Sequence, residues 1–303
     1  MTTSTAARWA RAYWAAAEPF TIAALFTPEV KTVMERAGLP VRAGYVVMRS
    51  APMGAAGPSV VTAAFHGFPR ATIELVLPGA WSVISPADAV KGTHEAVAAS
   101  SARQFAQHPS AAKVAAMADE LGAVVAELDT TGRPLAAANQ AVEPPAEPWA
   151  RLWRAMNTLR EHRGDAHVAT LVAADLDVVE AQVLMAAWAG ERLQLDRLRK
   201  SRSLTDDVWK SARDRLHERA LLTSEGSLTR AGHELRDGIE TATDIAAARP
   251  FQRLGADRTE EIWQFVGDLS SALIDTGQMI AVTPVGAPWP PPSPLKRTEM
   301  ASD

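Results

Sequence analysis

A chain of 303 residues, 47% hydrophobic and 22% charged, has ample apolar material for a folded protein and exceeds one typical domain. The lack of cysteine excludes disulfides, a thiol nucleophile and thiolate metal sites. A formal net charge of -4 excludes a chain that holds nucleic acid by overall positive charge, so any DNA contact must come from a local basic face.

The first residues, MTTSTAARWARAYWAAAEPF, place Arg8 and Arg11 inside the apolar run, which suits an amphipathic helix and not a signal peptide. No uncharged apolar window reaches the roughly 18 residues of a membrane span, so no membrane contact is expected and the cytoplasm is the expected compartment. Helices are expected over 4–18 and 28–37, the second opened by Pro28 and Glu29 and stopped by Gly38. AGYVVMRSAPMGAAGP, 43–58, reads as an apolar run, Arg49, and a Gly/Pro-rich loop. Short helices follow at 58–66 and 69–77, divided by HGFP, and longer ones at 86–107 and 110–128. Residues 1–130 are therefore expected to form an N-terminal helical domain. TGRPLAAANQAVEPPAEP, 131–148, reads as a proline-rich strap or linker.

A second domain is expected over 149–282. It opens with a helix carrying Leu152, Trp153, Met156 and Leu159 at helical spacing. HRGDAH is expected to break that helix, with a new one over 166–174. Further helices are expected at 177–189, 205–220, 230–247 and 258–280, with a two-stranded wing at 221–229. Residues 283–303 read as a disordered proline-rich tail. The fold class is mainly α.

Residues 177–247 resemble a winged helix-turn-helix of the MarR type. The resemblance lies in EAQVLMAAW, in the RLHERALL step from Leu216 to Leu222, in the short TSEGS turn, and in LTRAG from Leu228 to Gly232. Thr229 is a natural N-cap, and Trp209, Ala212 and Leu216 form an apolar stripe. The chain departs from the pattern at Ala220, where the family's step has glycine, and in a turn that carries Glu225 and no cation. RSAPMG, GRPLAAAN and LREHRGDAH extend a resemblance to a large actinobacterial family of helix-turn-helix proteins over almost the whole chain. That resemblance implies architecture and assigns no chemistry.

In such a fold the candidate DNA contacts are Arg197, Arg199, Lys200 and Arg202 on the second helix and turn, with Lys210 and Arg213 on the recognition helix. Arg192 belongs to the same basic cluster. The recognition helix balances Lys210, Arg213, Arg215 and Arg219 against Asp206, Asp207, Asp214 and Glu218, so its charge is neutral.

Candidate ligand residues are Arg49, suited to an anion; His66, a lone histidine among aromatics; and His162, Arg163, Asp165 and His167 within HRGDAH. This last group converges on a metal or haem only if the helix breaks at Gly164. The alternative is structural: Asp165 caps a helix, Arg163 pairs with a carboxylate, and the histidines satisfy backbone groups. No metal site and no cofactor are assigned. No nucleophile elbow, Gly-rich phosphate loop or His-Glu-x-x-His is present.

Three functions fit these observations. A ligand-responsive MarR-like transcription regulator would bind a small molecule and double-stranded DNA as a homodimer. An enzyme or cofactor-binding protein, of a specialised metabolism for example, would use a degenerate winged helix as scaffold, with its site between the two halves. An interaction module would present the winged helix to another protein.

Overall fold

A computed structural model describes residues 1–106, 108–190, 193–279 and 285–294. The N-terminal half runs through α1 (Thr3–Ala23), α2 (Pro28–Arg36), α3 (Gly44–Ser50), α4 (Pro58–Phe65), α5 (Arg70–Glu74), α6 (Pro86–Gln104), α7 (Ala111–Ala126) and α8 (Pro134–Ala141). The long α9 (Pro148–Ala173) leads to α10 (Val178–Ala189), α11 (Leu195–Ser201), α12 (Asp206–Glu218), α13 (Arg230–Ala246), α14 (Arg249–Leu254) and α15 (Ala256–Asp275). Local chemistry sets many of the starts. Thr27, Ser85, Ser110, Thr205 and Thr229 each accept an amide hydrogen from the first turn they precede. Proline stands in the first turn of α2, α4, α6, α8 and α9, where its missing N–H costs nothing.

The main core is built around α9. Helices α6, α7 and α8 pack on it from one side, and α1 and α13 from others, while α15 lies along α1. Leu152, Trp153, Met156 and Leu159 of α9 join Trp9, Phe20, Leu121 and Leu135 in this core. Segment 131–148 contains α8, which packs against α9. A second apolar cluster unites Leu176, Leu184, Ala212, Leu216, Leu222 and Ile239 within the helix-turn-helix region. In the terminal proline-rich stretch, Gly286 and Ala287 are buried, and a Cβ on Gly286 would touch Ala189 and Trp188.

Two expectations are corrected. HRGDAH does not interrupt a helix: α9 continues through Gly164 to Ala173. A mid-helix glycine costs about 1 kcal/mol against alanine, and a helix buried on most of its circumference offsets that loss. Second, the two-stranded wing is absent. Among the described residues no strand forms; a single antiparallel bridge joins Leu222 and Leu228. The turn from Thr223 to Ser227 is closed by the Thr223 N–H on the Ser227 carbonyl at 2.8 Å, and the pairing ends one residue beyond it on each side. One residue pair is too little ladder to define a strand. The fold is therefore all-helical where it is described.

The helix-turn-helix itself is held by short-range geometry. Ala220 ends the α12 step at φ +54°, the left-handed value that a glycine adopts freely. The Thr229 hydroxyl donates to the Ala220 carbonyl at 2.7 Å and accepts from the Gly232 N–H at 3.0 Å. A Cβ on Gly232 would lie 2.2 Å from the Leu221 carbonyl oxygen, so the LTRAG glycine is required by close backbone approach.

Candidate functional site

Between the N-terminal helices and the helix-turn-helix lies a cavity of about 160 Å³. Its walls come from α1 at Trp14 and Glu18, α3 at Tyr45 and Arg49, and the loop His66–Gly67–Phe68 after α4. Helix α9 supplies Arg160, Arg163, Gly164, His167 and Val168, and α10 and α13 close it with Gln182, Leu184, Met185, Arg236 and Glu240. Arg202, at the end of α11, completes the wall.

Most charges here are already paired. Arg49 makes a bidentate pair with Glu161, both bonds at 2.8 Å, and lies 4.2 Å above the Phe65 ring. Arg160 makes a second bidentate pair with buried Glu18, at 2.8 and 3.0 Å, and donates to Glu161 at 2.9 Å. Burial opposes charge on Glu161, but Arg49 and Arg160 outweigh it and hold the carboxyl below its usual range. Arg163 bonds both Glu240 and Asp244 at 2.9 Å and stacks on Trp14 at 4.3 Å. Arg11 reaches the same two carboxylates from α1, and Arg236 pairs with Glu240. Burial works against ionised Glu240, but Arg163 and Arg236 hold its pKa well below normal.

Arg202 differs. Its Nε donates to the Gly67 carbonyl at 3.0 Å, its Nη1 to Ser201 Oγ at 2.8 Å, and its guanidinium lies 4.0 Å over Phe68. No carboxylate pairs with it among the described residues. Burial, with Arg49 and Arg160 nearby, lowers its pKa to about 10. Three further atoms of lining residues carry unmet demand: His66 Nδ1, Gln182 Oε1 and Arg163 Nε are sealed from solvent without a hydrogen-bond partner. His66 itself has φ +44°, the left-handed region, as the cap of α4, and burial lowers its pKa, which favours the neutral ring. The His167 ring is also neutral, its pKa lowered to about 4 by burial. The Thr243 hydroxyl donates to the Ile239 carbonyl at 2.8 Å and so accepts from His167 Nδ1 at 3.1 Å.

Of the residues expected from sequence, Arg49, His66, Arg163 and His167 meet in this cavity. His162 and Asp165 do not line it. His162 sits in a smaller cleft beside Tyr13 and Trp14 of α1, and burial lowers its pKa to about 4. Asp165 accepts from the Leu135 and Ala136 amides at 3.4 and 2.8 Å, capping the start of α8. Burial raises its pKa to about 6. The unbroken α9 turns the polar groups of HRGDAH to different neighbours, and no group of three His, Asp or Glu side chains able to hold a metal occurs among the described residues. Sequence reasoning missed Arg160, Gln182, Arg202 as a cavity residue, and Arg236. Arg202 alone gave a signal, standing at the end of the basic run beside the turn.

On the helix-turn-helix face, Arg197, Lys200 and Arg213 are exposed with no carboxylate partner among the described residues. Arg199 is engaged by Asp206 and lies 5.4 Å over Trp209. Lys210 pairs with Asp214. Arg215 binds Asp177 and Glu180, which form the capping box of α10. Arg192 lies outside the described residues.

These features define an all-helical protein in which a helix-turn-helix unit shares a cavity with a larger helical half. The Helix-turn-helix family matches residues 10–280, and the chain belongs to that family. At the coarsest level this membership supports a DNA-binding regulator. No curated protein and no solved structure matches the sequence. No helix among the described residues is long and apolar enough to cross a membrane.

Proposed function

We propose that this protein is a cytoplasmic, ligand-responsive DNA-binding regulator, MarR-like in organisation but without the two-stranded wing, and active as a homodimer. One observation carries the reading: Arg202, the first of the four residues between α11 and α12, is itself a wall of the cavity. Occupancy of the cavity therefore acts on the turn that positions the recognition helix α12. A ligand that favours one setting of that turn changes DNA affinity by its differential interactions in the two settings.

The DNA face in this reading is Arg197, Lys200 and Arg213, the exposed cations free of carboxylates. Binding of a mixed-sequence duplex, followed by fluorescence anisotropy over a salt series, tests it. The expected result is an affinity that falls with salt, and a R197A/K200A/R213A variant whose slope is shallower by about 0.9 for each phosphate it no longer neutralises. Absence of binding even at low salt would remove the regulator.

A second reading is favoured by a different observation. Lys210, Arg215 and Arg219 of the α12 region are tied into ion pairs, while Asp207 stands exposed at the start of α12. A helix so arranged serves an enzyme or cofactor-binding scaffold as well as it serves a DNA reader, and the loss of DNA binding in the anisotropy experiment would move the assignment there.

A further inference from the structure

The cavity has a chemical preference of its own. The network around it holds six guanidiniums, those of Arg11, Arg49, Arg160, Arg163, Arg202 and Arg236. Four carboxylates answer them: Glu18, Glu161, Glu240 and Asp244. The cations exceed the carboxylates by two, so the site favours an anion, and Arg202 alone of the six has no acidic partner among the described residues. An unpaired cation in a partly buried site is costly unless a counter-charge arrives.

The surroundings restrict what that counter-charge belongs to. Phe65, Phe68, Leu184 and Met185 line the same space, and about 160 Å³ exceeds what a lone inorganic ion fills. An engineered apolar cavity of about this size, roughly 150 Å³, takes up benzene. The Arg202 guanidinium lies 4.0 Å over Phe68, and with Nε bonded to Gly67 and Nη1 to Ser201 its Nη2 has no hydrogen-bond partner among the described residues, which leaves a donor for a carboxylate. Gln182 Oε1 asks for a donor beside it, and His66 Nδ1 for a donor or an acceptor according to its tautomer, a demand that a hydroxyl meets on both sides.

We propose that this cavity binds a small organic acid, its carboxylate on Arg202, its apolar body against Phe65, Phe68 and Met185, and a hydroxyl or amide donor toward His66 and Gln182. The assignment rests on the cavity being the ligand site of the reading above. It does not depend on DNA binding.

Calorimetric titration and thermal melts of the full chain with phenylacetate, mandelate and octanoate, beside their methyl esters and inorganic phosphate, test it. At least one acid binds and raises Tm by several degrees, the esters and phosphate do not, and mandelate binds more tightly than phenylacetate. R202Q weakens binding about 10- to 100-fold, as expected for removal of one charge-assisted hydrogen-bonded pair. Because Arg202 also anchors the Gly67 loop, Val168→Phe provides a second variant: it fills the cavity from α9 and abolishes acid binding with Arg202 intact. Binding of none of the acids, equal binding of the esters, equal binding of phosphate, or full binding by V168F overturns the site. Mandelate no tighter than phenylacetate overturns the donor interaction. DNA affinity measured on the same samples separates the two readings. Acid binding weakened in R202Q supports the site even where DNA does not bind, whereas DNA binding without acid binding removes the site and leaves the regulator.

Discussion

At Ala220 the chain holds a left-handed conformation with a side chain that disfavours it. Ala220→Gly is expected to stabilise the protein by up to about 1 kcal/mol, because the left-handed strain of roughly 1–2 kcal/mol is relieved and part is returned as glycine's unfolded-state entropy. The opposite holds at Gly232, where any Cβ collides with the Leu221 carbonyl. Gly232→Ala is expected to cost about 3 kcal/mol, the upper part of the range for an overpacked site. Paired chemical denaturation curves check both, and a neutral G232A would mean that the Leu221 backbone moves freely. The LTRAG glycine was legible from sequence because its role is local: it is fixed by the Thr229 cap and a turn of fewer than ten residues. Asp165 was legible only in kind. The expected capping role appears, but at α8, which lies earlier in the chain and reaches Asp165 only through tertiary packing.

Helix α9 shows how burial changes the weight of an ion pair between elements. Glu161 joins α9 to α3 through Arg49, and its side chain is 1% exposed. Asp206 pairs with Arg199 across the helix-turn-helix turn but is 95% exposed. Glu161→Ala should destabilise by about 3–5 kcal/mol, since it strands the buried Arg49 guanidinium and leaves Arg160 with Glu18 alone, whereas Asp206→Ala should cost under about 1 kcal/mol. Urea denaturation of the two variants decides; similar losses would mean that water reaches Glu161 in the folded state. The course of α9 was not legible. Local propensity marks Gly164 as a weak point, but helices α6, α7, α8, α1 and α13 pack around it and override that preference. The absent wing is the converse: the turn motif is legible in the sequence, but only Leu222 and Leu228 pair across it, and the expected strands do not form.

For the molecule as a whole, four histidines, His162 buried and His66, His94 and His167 half-buried, govern acid stability. Burial lowers His94, His162 and His167 from 6.5 to about 4, and His66 in the same direction. Unfolding frees these rings to take up protons near their ordinary value, so their contribution is present above about pH 6.5 and is lost as pH falls toward 4. Asp165, raised from 3.8 to about 6, and Asp244, also raised by burial, act the other way over part of that window. The histidines outnumber them, so Tm should be clearly lower near pH 5 than near pH 7, and His167→Asn should flatten the profile. A pH-independent Tm over that interval would show the rings to be hydrated.

By itself the sequence determined the helical class, the starts set by Thr and Ser caps and first-turn prolines, and the helix-turn-helix step, because each is written in residues a few positions apart. It also singled out Arg49, His66, Arg163 and His167 as chemically notable. Only the tertiary structure decided that these four share a wall, that Arg202 joins them from the basic run, and that His162 and Asp165 turn elsewhere. The reason is physical. Caps and turns depend on neighbours along the chain, whereas a cavity depends on pairs such as Arg49 with Glu161 and Arg202 with Gly67, more than a hundred residues apart, whose meeting is set by the packing of α9.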